Sequence, residues 1–164
     1  MKKKSGKTGK KNANHKALIS SFAIVILVAL IGGIFTSGSV KSAWYDSIKP
    51  SITPPSFAFP IAWTILFILI AFSLYFAWIK SEKNEKKAIA SAFGINLFLN
   101  ILWSFLFFKM RNPKAAFIEI AALWISIIAM MSVSWKIDRK ASWMLLPYLL
   151  WVSFAAVLNF LIAF

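Results

Sequence analysis

The sequence predicts an all-α integral membrane protein, a five-transmembrane-helix bundle. Three observations carry that expectation. Of the 164 residues, 60% are hydrophobic and only 15% charged, against about 45–50% and about 25% in ordinary soluble domains. The apolar residues gather into five runs of 20 to 23 residues, at 17–36, 57–79, 88–108, 115–135 and 142–164. At ~1.5 Å per residue each run crosses a hydrocarbon core of ~30 Å. Finally, none of the 19 lysines and arginines falls inside a run. Backbone groups in lipid must be satisfied within their own segment, so the runs are read as helices; barrel strands would show alternating segments of about ten residues.

Taken in order, residues 1–16 hold seven lysines and no aromatic ring other than His15. This composition is expected to give a disordered cytoplasmic tail acting as a topology signal. Run 17–36 is longer than the ~7–15 apolar residues of a cleaved signal peptide and is kept as the first helix. Segment 37–56 contains Trp44, Tyr45, Pro50, Pro54 and Pro55. Its prolines fix the backbone, so it reads as a lid over a cavity or as an aromatic anchor at the headgroups. Run 57–79 places Trp63, Phe67 and Ile70 along one face. In run 88–108, Asn96, Asn100 and Trp103 fall at i, i+4 and i+7 on one stripe. Amides there serve helix–helix hydrogen bonding or line a cavity. Run 115–135 carries Glu119, the only acid within an apolar run, with Ser126 on its stripe. Such a carboxyl is a functional group, for example in proton-coupled transport, or sits protonated near the interface and Lys114. Run 142–164 puts Tyr148, Trp151 and Ala155 on one face, after Pro147.

The basic residues also set an orientation. With the N-terminus inside, the inner segments hold seven, four and three, fourteen in all, against two and three outside. The positive-inside rule then favours N-in, C-out. No nucleic-acid partner is expected, because the tail lacks aromatic stacking groups. The chain has no cysteine and its one histidine lies in the tail, so thiolate chemistry is excluded and the spans contain no imidazole base. With no carboxylate pair either, conventional hydrolysis and metal catalysis are not expected.

Four short motifs in order resemble the TspO/MBR family, the tryptophan-rich sensory and translocator proteins. They are Trp44-Tyr45 with Lys49-Pro50 and Pro54-Pro55; Phe59-Pro60-Ile61-Ala62-Trp63-Thr64; Asn96 to Trp103 with Ser104; and Pro147-Tyr148-Leu149-Leu150-Trp151 with Phe154-Ala155 and Leu158-Asn159. The resemblance implies a homodimer in the lipid bilayer, expected here in a prokaryotic cell membrane. It also implies a bundle pocket for a flat apolar molecule, a porphyrin such as protoporphyrin IX or haem, with no obligatory cofactor. Carried over by motif, Trp63, Asn96 and Trp151 correspond to pocket residues, and Trp44, Tyr45, Pro54 and Pro55 to the loop that closes it. Asn100, Ala155 and Asn159 correspond to pocket or packing positions, while Trp103 and Tyr148 share the faces just described. Light-dependent porphyrin breakdown is a looser implication. The lysine-rich tail departs from the family pattern. Phe160 follows Asn159 with no basic residue after it, so cholesterol transport is not expected.

Overall fold

The computed structural model describes residues 3–164, with side chains from residue 12 onward; Met1 and Lys2 of the lysine-rich tail lie outside the described residues. Seven α-helices follow in order: α1 (Lys3–Thr36), α2 (Ala43–Ile48), α3 (Ala58–Lys80), α4 (Lys86–Ser104), α5 (Pro113–Ile137), α6 (Arg139–Trp143) and α7 (Leu146–Ala163), with a π-helical turn at Phe105–Lys109 after α4. Among the described residues, five stretches are long and apolar enough to span a membrane: Asn12–Thr36, Ala58–Lys80, Lys86–Lys109, Pro113–Ile137 and Arg139–Ala163. Among the described residues there is no strand. The expected five-helix membrane bundle is the observed fold.

Local chemistry sets most boundaries. Asn112 caps α5 by accepting from the Ala115 N–H at 3.0 Å, and Pro113 takes the first turn, where a missing N–H is harmless. Just before it, Arg111 adopts a left-handed φ of 50°, which stops the preceding helix. Asp138, extended between α5 and α6, accepts from Lys140 N–H at 3.2 Å and pairs with Lys80 at 2.9 Å.

Three details depart from the sequence expectations. Helix α1 does not begin at residue 17 but continues back to Lys3, through the segment expected to be disordered. Lysine is a good helix former, and a helix already nucleated by an apolar span extends cheaply. The last span is not one helix from residue 142. It is broken at Met144-Leu145, because Pro147 has no N–H for the carbonyl four residues back and crowds it. The third span loosens at its end into the π turn, where Met110 N–H reaches the Phe105 carbonyl at 2.9 Å, one residue beyond α-helical spacing.

The bundle is solid at one end and hollow at the other. α4 packs on α5 and α1, α5 on α7, and α1 on α3. Ile70, Leu74, Ile89, Phe93, Ile127, Met130 and Leu145 are buried together, at the end where α3 runs into α6. There Ser73 Oγ donates to the Ala141 carbonyl at 2.8 Å. The outer surface is apolar: Ile19, Leu30, Ile65, Phe98, Ile118 and Leu150 are all exposed, while Asn96, Asn100, Ser126 and Asn159 are buried. Apolar outside and amides inside is the arrangement that a lipid solvent selects.

Candidate functional site

At the hollow end, under segment 37–56, lies a cavity of about 450 Å³. Four of the five spans build its wall, and α5 contributes no residue to it. From α1 come Gly32, Gly33 and Thr36, where the absence of side chains at the glycine pair leaves room. From α3 come Phe59, Pro60, Trp63 and Phe67; from α4 and the π turn Asn100, Trp103 and Phe107; from α7 Trp151, Ala155 and Asn159. Val40, Lys41, Tyr45 and Ser56 form the mouth.

The indoles are held by other rings. Trp63 lies 5.4 Å from Phe67 and packs edge-on against Tyr148 at 6.1 Å. Trp151 meets Phe59 at 6.0 Å, and Trp103 stacks on Phe107 at 5.1 Å with an interplanar angle of 21°. The Trp103 Nε1–H donates to Asn159 Oδ1 at 3.0 Å, while Asn159 Nδ2 donates to the Pro113 carbonyl at 2.8 Å. Asn159 thereby fixes the Trp103 ring and ties the end of α7 to the start of α5.

The stripe Asn96, Asn100, Trp103 divides between two jobs. Trp103 and Asn100 reach the cavity. Asn96, completely buried, does not line it: its Nδ2 donates to Ser126 Oγ at 2.8 Å, and its Oδ1 accepts from the Tyr148 hydroxyl at 3.3 Å. That hydroxyl in turn accepts from Asn100 Nδ2 at 3.1 Å. Tyr148 is likewise completely buried, one layer behind Trp63. Asn96 and Tyr148 thus join α4, α5 and α7 behind the cavity.

Segment 37–56 contains α2, started by Ser42, whose hydroxyl accepts from Tyr45 N–H at 3.2 Å. The backbone hydrogen bonds of residues 39–58 all close within three or four residues of themselves. What fastens the segment to the bundle is aromatic. Tyr45 packs on Phe107 at 6.3 Å and on Phe108 at 5.9 Å, Trp44 on Phe107 at 5.9 Å, and the Arg111 guanidinium lies 5.5 Å from the Trp44 ring centre. Burial, and then the neighbouring Asp46 charge, push the Tyr45 phenol above its ordinary value. Pro54 and Pro55 line a smaller recess of about 350 Å³ with Thr53, Asp46 and Lys49. It shares Val40, Lys41, Tyr45, Ser56 and Phe59 with the main cavity.

Of the twelve residues singled out from the sequence, seven line the main cavity: Tyr45, Trp63, Asn100, Trp103, Trp151, Ala155 and Asn159. Pro54 and Pro55 lie in the recess. Trp44 packs on Phe107 and Tyr45 without lining either space. The α1 wall was missed, although the pair Gly32-Gly33 in an otherwise bulky apolar run was a readable signal. Glu119 is buried with both carboxyl oxygens lacking a partner, on the one span that gives the cavity nothing.

The model of the TspO/MBR family matches residues 21–164. Among curated proteins, the chain is 42% identical over 150 residues to the Tryptophan-rich protein TspO of Archaeoglobus fulgidus, covering 91% of this chain and 96% of that one. It is 39% identical over 157 residues to the protein of the same name from Chlorobaculum tepidum, covering 92% and 96%. To the Translocator protein of Sus scrofa it is 30% identical over 141 residues, covering 82% and 83%.

Proposed function

The chain belongs to the TspO/MBR family, and from that premise we propose that it is a membrane sensor or regulator that binds a porphyrin, such as protoporphyrin IX or haem, in the cavity under segment 37–56. One observation carries the proposal: three indoles, of Trp63, Trp103 and Trp151, line a single cavity of about 450 Å³ at the hollow end of the bundle. That volume is in the range of small-molecule sites. A flat apolar macrocycle gains from desolvation and offset stacking on such walls, and Asn100 adds a polar group that can orient it. The wall holds no imidazole and no carboxylate, which favours binding over acid–base chemistry. The alternative of a proton-coupled transporter working through Glu119 gains no support from the cavity, since α5 does not line it. The homodimer belongs to the same reading and rests on the family. An N-in orientation rests on the fourteen basic residues of the inner segments against five outside.

The test is a titration of the detergent-purified protein with protoporphyrin IX, read by quenching of tryptophan emission. The expected result is saturable quenching that weakens roughly tenfold or more in Trp63→Ala/Trp151→Ala, since each aromatic contact contributes ~0.5–1.5 kcal/mol beyond its area. Six tryptophans of the eight remain to report. An unchanged titration in the double variant sinks the assignment.

A further inference from the structure

Among the described residues, Lys41 is the only charged side chain lining the cavity. It sits between α1 and α2 and borders the smaller recess as well, so it stands where the two spaces meet. Two further charges lie in that recess, Asp46 and Lys49, and they satisfy each other at 2.6 Å. Lys41 takes part in no ion pair or hydrogen bond among the described residues. Beside it, the nearly buried Tyr45 lines both spaces, and its hydroxyl also lacks a protein partner. The mouth therefore offers an unpaired ammonium and a free phenolic O–H. Below it the wall is aromatic, aliphatic and amide. Lys41 is exposed to solvent, so its pull on an anion comes from a charge-assisted hydrogen bond, the stronger kind.

We propose that Lys41 is the anion-recognising residue of this cavity, and that the ligand is amphipathic, with a flat apolar body among the indoles and a carboxylate at the mouth. The Lys41 Nζ–H donates to that carboxylate, with Tyr45 its neighbour in the lining of both spaces. The inference rests on the proposed binding role of the cavity and assigns the residue that meets the acid group of its ligand. It also fixes which end of the ligand enters first.

Protoporphyrin IX and its dimethyl ester separate the two claims, because they share the macrocycle and differ in charge. Both are titrated into the wild-type protein, Lys41→Gln, Lys41→Arg and Trp63→Ala/Trp151→Ala. The wild type is expected to bind the acid about tenfold more tightly than the ester. Lys41→Gln removes that preference and leaves ester binding unchanged, while Lys41→Arg retains it. If Lys41→Gln keeps the full preference for the acid while the tryptophan variant loses both ligands, the inference about Lys41 is wrong and the cavity assignment stands. If the tryptophan variant binds the ester as the wild type does, the cavity assignment falls and takes the inference with it. If added phosphatidylglycerol abolishes the acid preference without displacing the ester, Lys41 serves a lipid phosphate, and the proposal is overturned.

Discussion

Removing one oxygen atom distinguishes the residues that hold the bundle from those that hold a ligand. Tyr148→Phe deletes the hydroxyl that donates to Asn96 Oδ1 at 3.3 Å and accepts from Asn100 Nδ2 at 3.1 Å. The ring, completely buried and edge-on to Trp63 at 6.1 Å, is untouched, so no cavity forms behind the indole. Two hydrogen bonds are lost, leaving the Asn96 amide oxygen in a dry interior and an Asn100 N–H at the cavity wall. Buried side-chain hydrogen bonds contribute ~0.5–1.5 kcal/mol each, and those between membrane helices average nearer ~0.6 kcal/mol. Both distances are long for bonds to a hydroxyl, which places the expected loss at about 1–2 kcal/mol. Asn96 keeps its bond to Ser126 at 2.8 Å, so α4 and α5 stay joined and the fold persists. The assay is reversible unfolding in mixed micelles, followed by helical circular dichroism, alongside the protoporphyrin titration. A stability loss of that size with binding changed by less than about twofold is the expected pair of results. Full stability together with weakened binding would refute the reasoning, because Asn96 and Tyr148 would then be acting on the ligand.

Two other perturbations follow from buried or half-free groups. Glu119 is 7% exposed, and neither carboxyl oxygen has a partner; Glu119→Leu, of similar volume, removes two unsatisfied acceptors and is expected to raise stability by ~1–3 kcal/mol. A lowered melting temperature in detergent would show that the carboxyl is held by a group that stabilises it. Tyr45 has a phenol pushed above its ordinary value of 10.0, by burial first and Asp46 second. Its contribution to seating segment 37–56 is therefore complete below about pH 10 and is lost as pH rises toward the raised value. Absorbance titration near 295 nm should find this phenol ionising above its ordinary value, with Asp46→Asn bringing it down; an unshifted titration rules the seating out.

The spans were legible because lipid imposes one simple demand, an uninterrupted apolar helix of about 20 residues. Their breaks were less so. Pro147 announced a disturbance, but whether a proline kinks a span or divides it into α6 and α7 depends on whether the freed carbonyl finds a neighbour. The π turn at Phe105–Lys109 left no mark, since FLFFK has the composition of any apolar helix end. The site was half readable. Spacing correctly put Asn96, Asn100 and Trp103 on one stripe, yet a stripe on a helix is wider than the gap between neighbours. Asn96 turns to α5 and α7, while Trp103, two turns on, reaches the hollow. The role of Asn159 was invisible to spacing, because its partners Trp103 and Pro113 lie 56 and 46 residues away. Glycine in the first run reads as a weakness in a helix; only the fold shows that it makes space.

The self-contained hydrogen bonding of segment 37–56 separates how fast the cavity exchanges its contents from how tightly it holds them. To swing aside, the segment breaks no ladder to the bundle; it withdraws Trp44 and Tyr45 from Phe107 and Phe108. Ring contacts of ~0.5–1.5 kcal/mol each make a modest barrier, of the size that loops cross in microseconds to milliseconds. Trp44 packs on Phe107 but lines neither the cavity nor the recess, so its loss loosens the latch more than it alters the wall. Trimming it would speed entry and exit alike, shortening residence time while leaving the dissociation constant nearly where it was. For the sensor proposed above, following a changing supply of its ligand, that lifetime would set how promptly the signal falls.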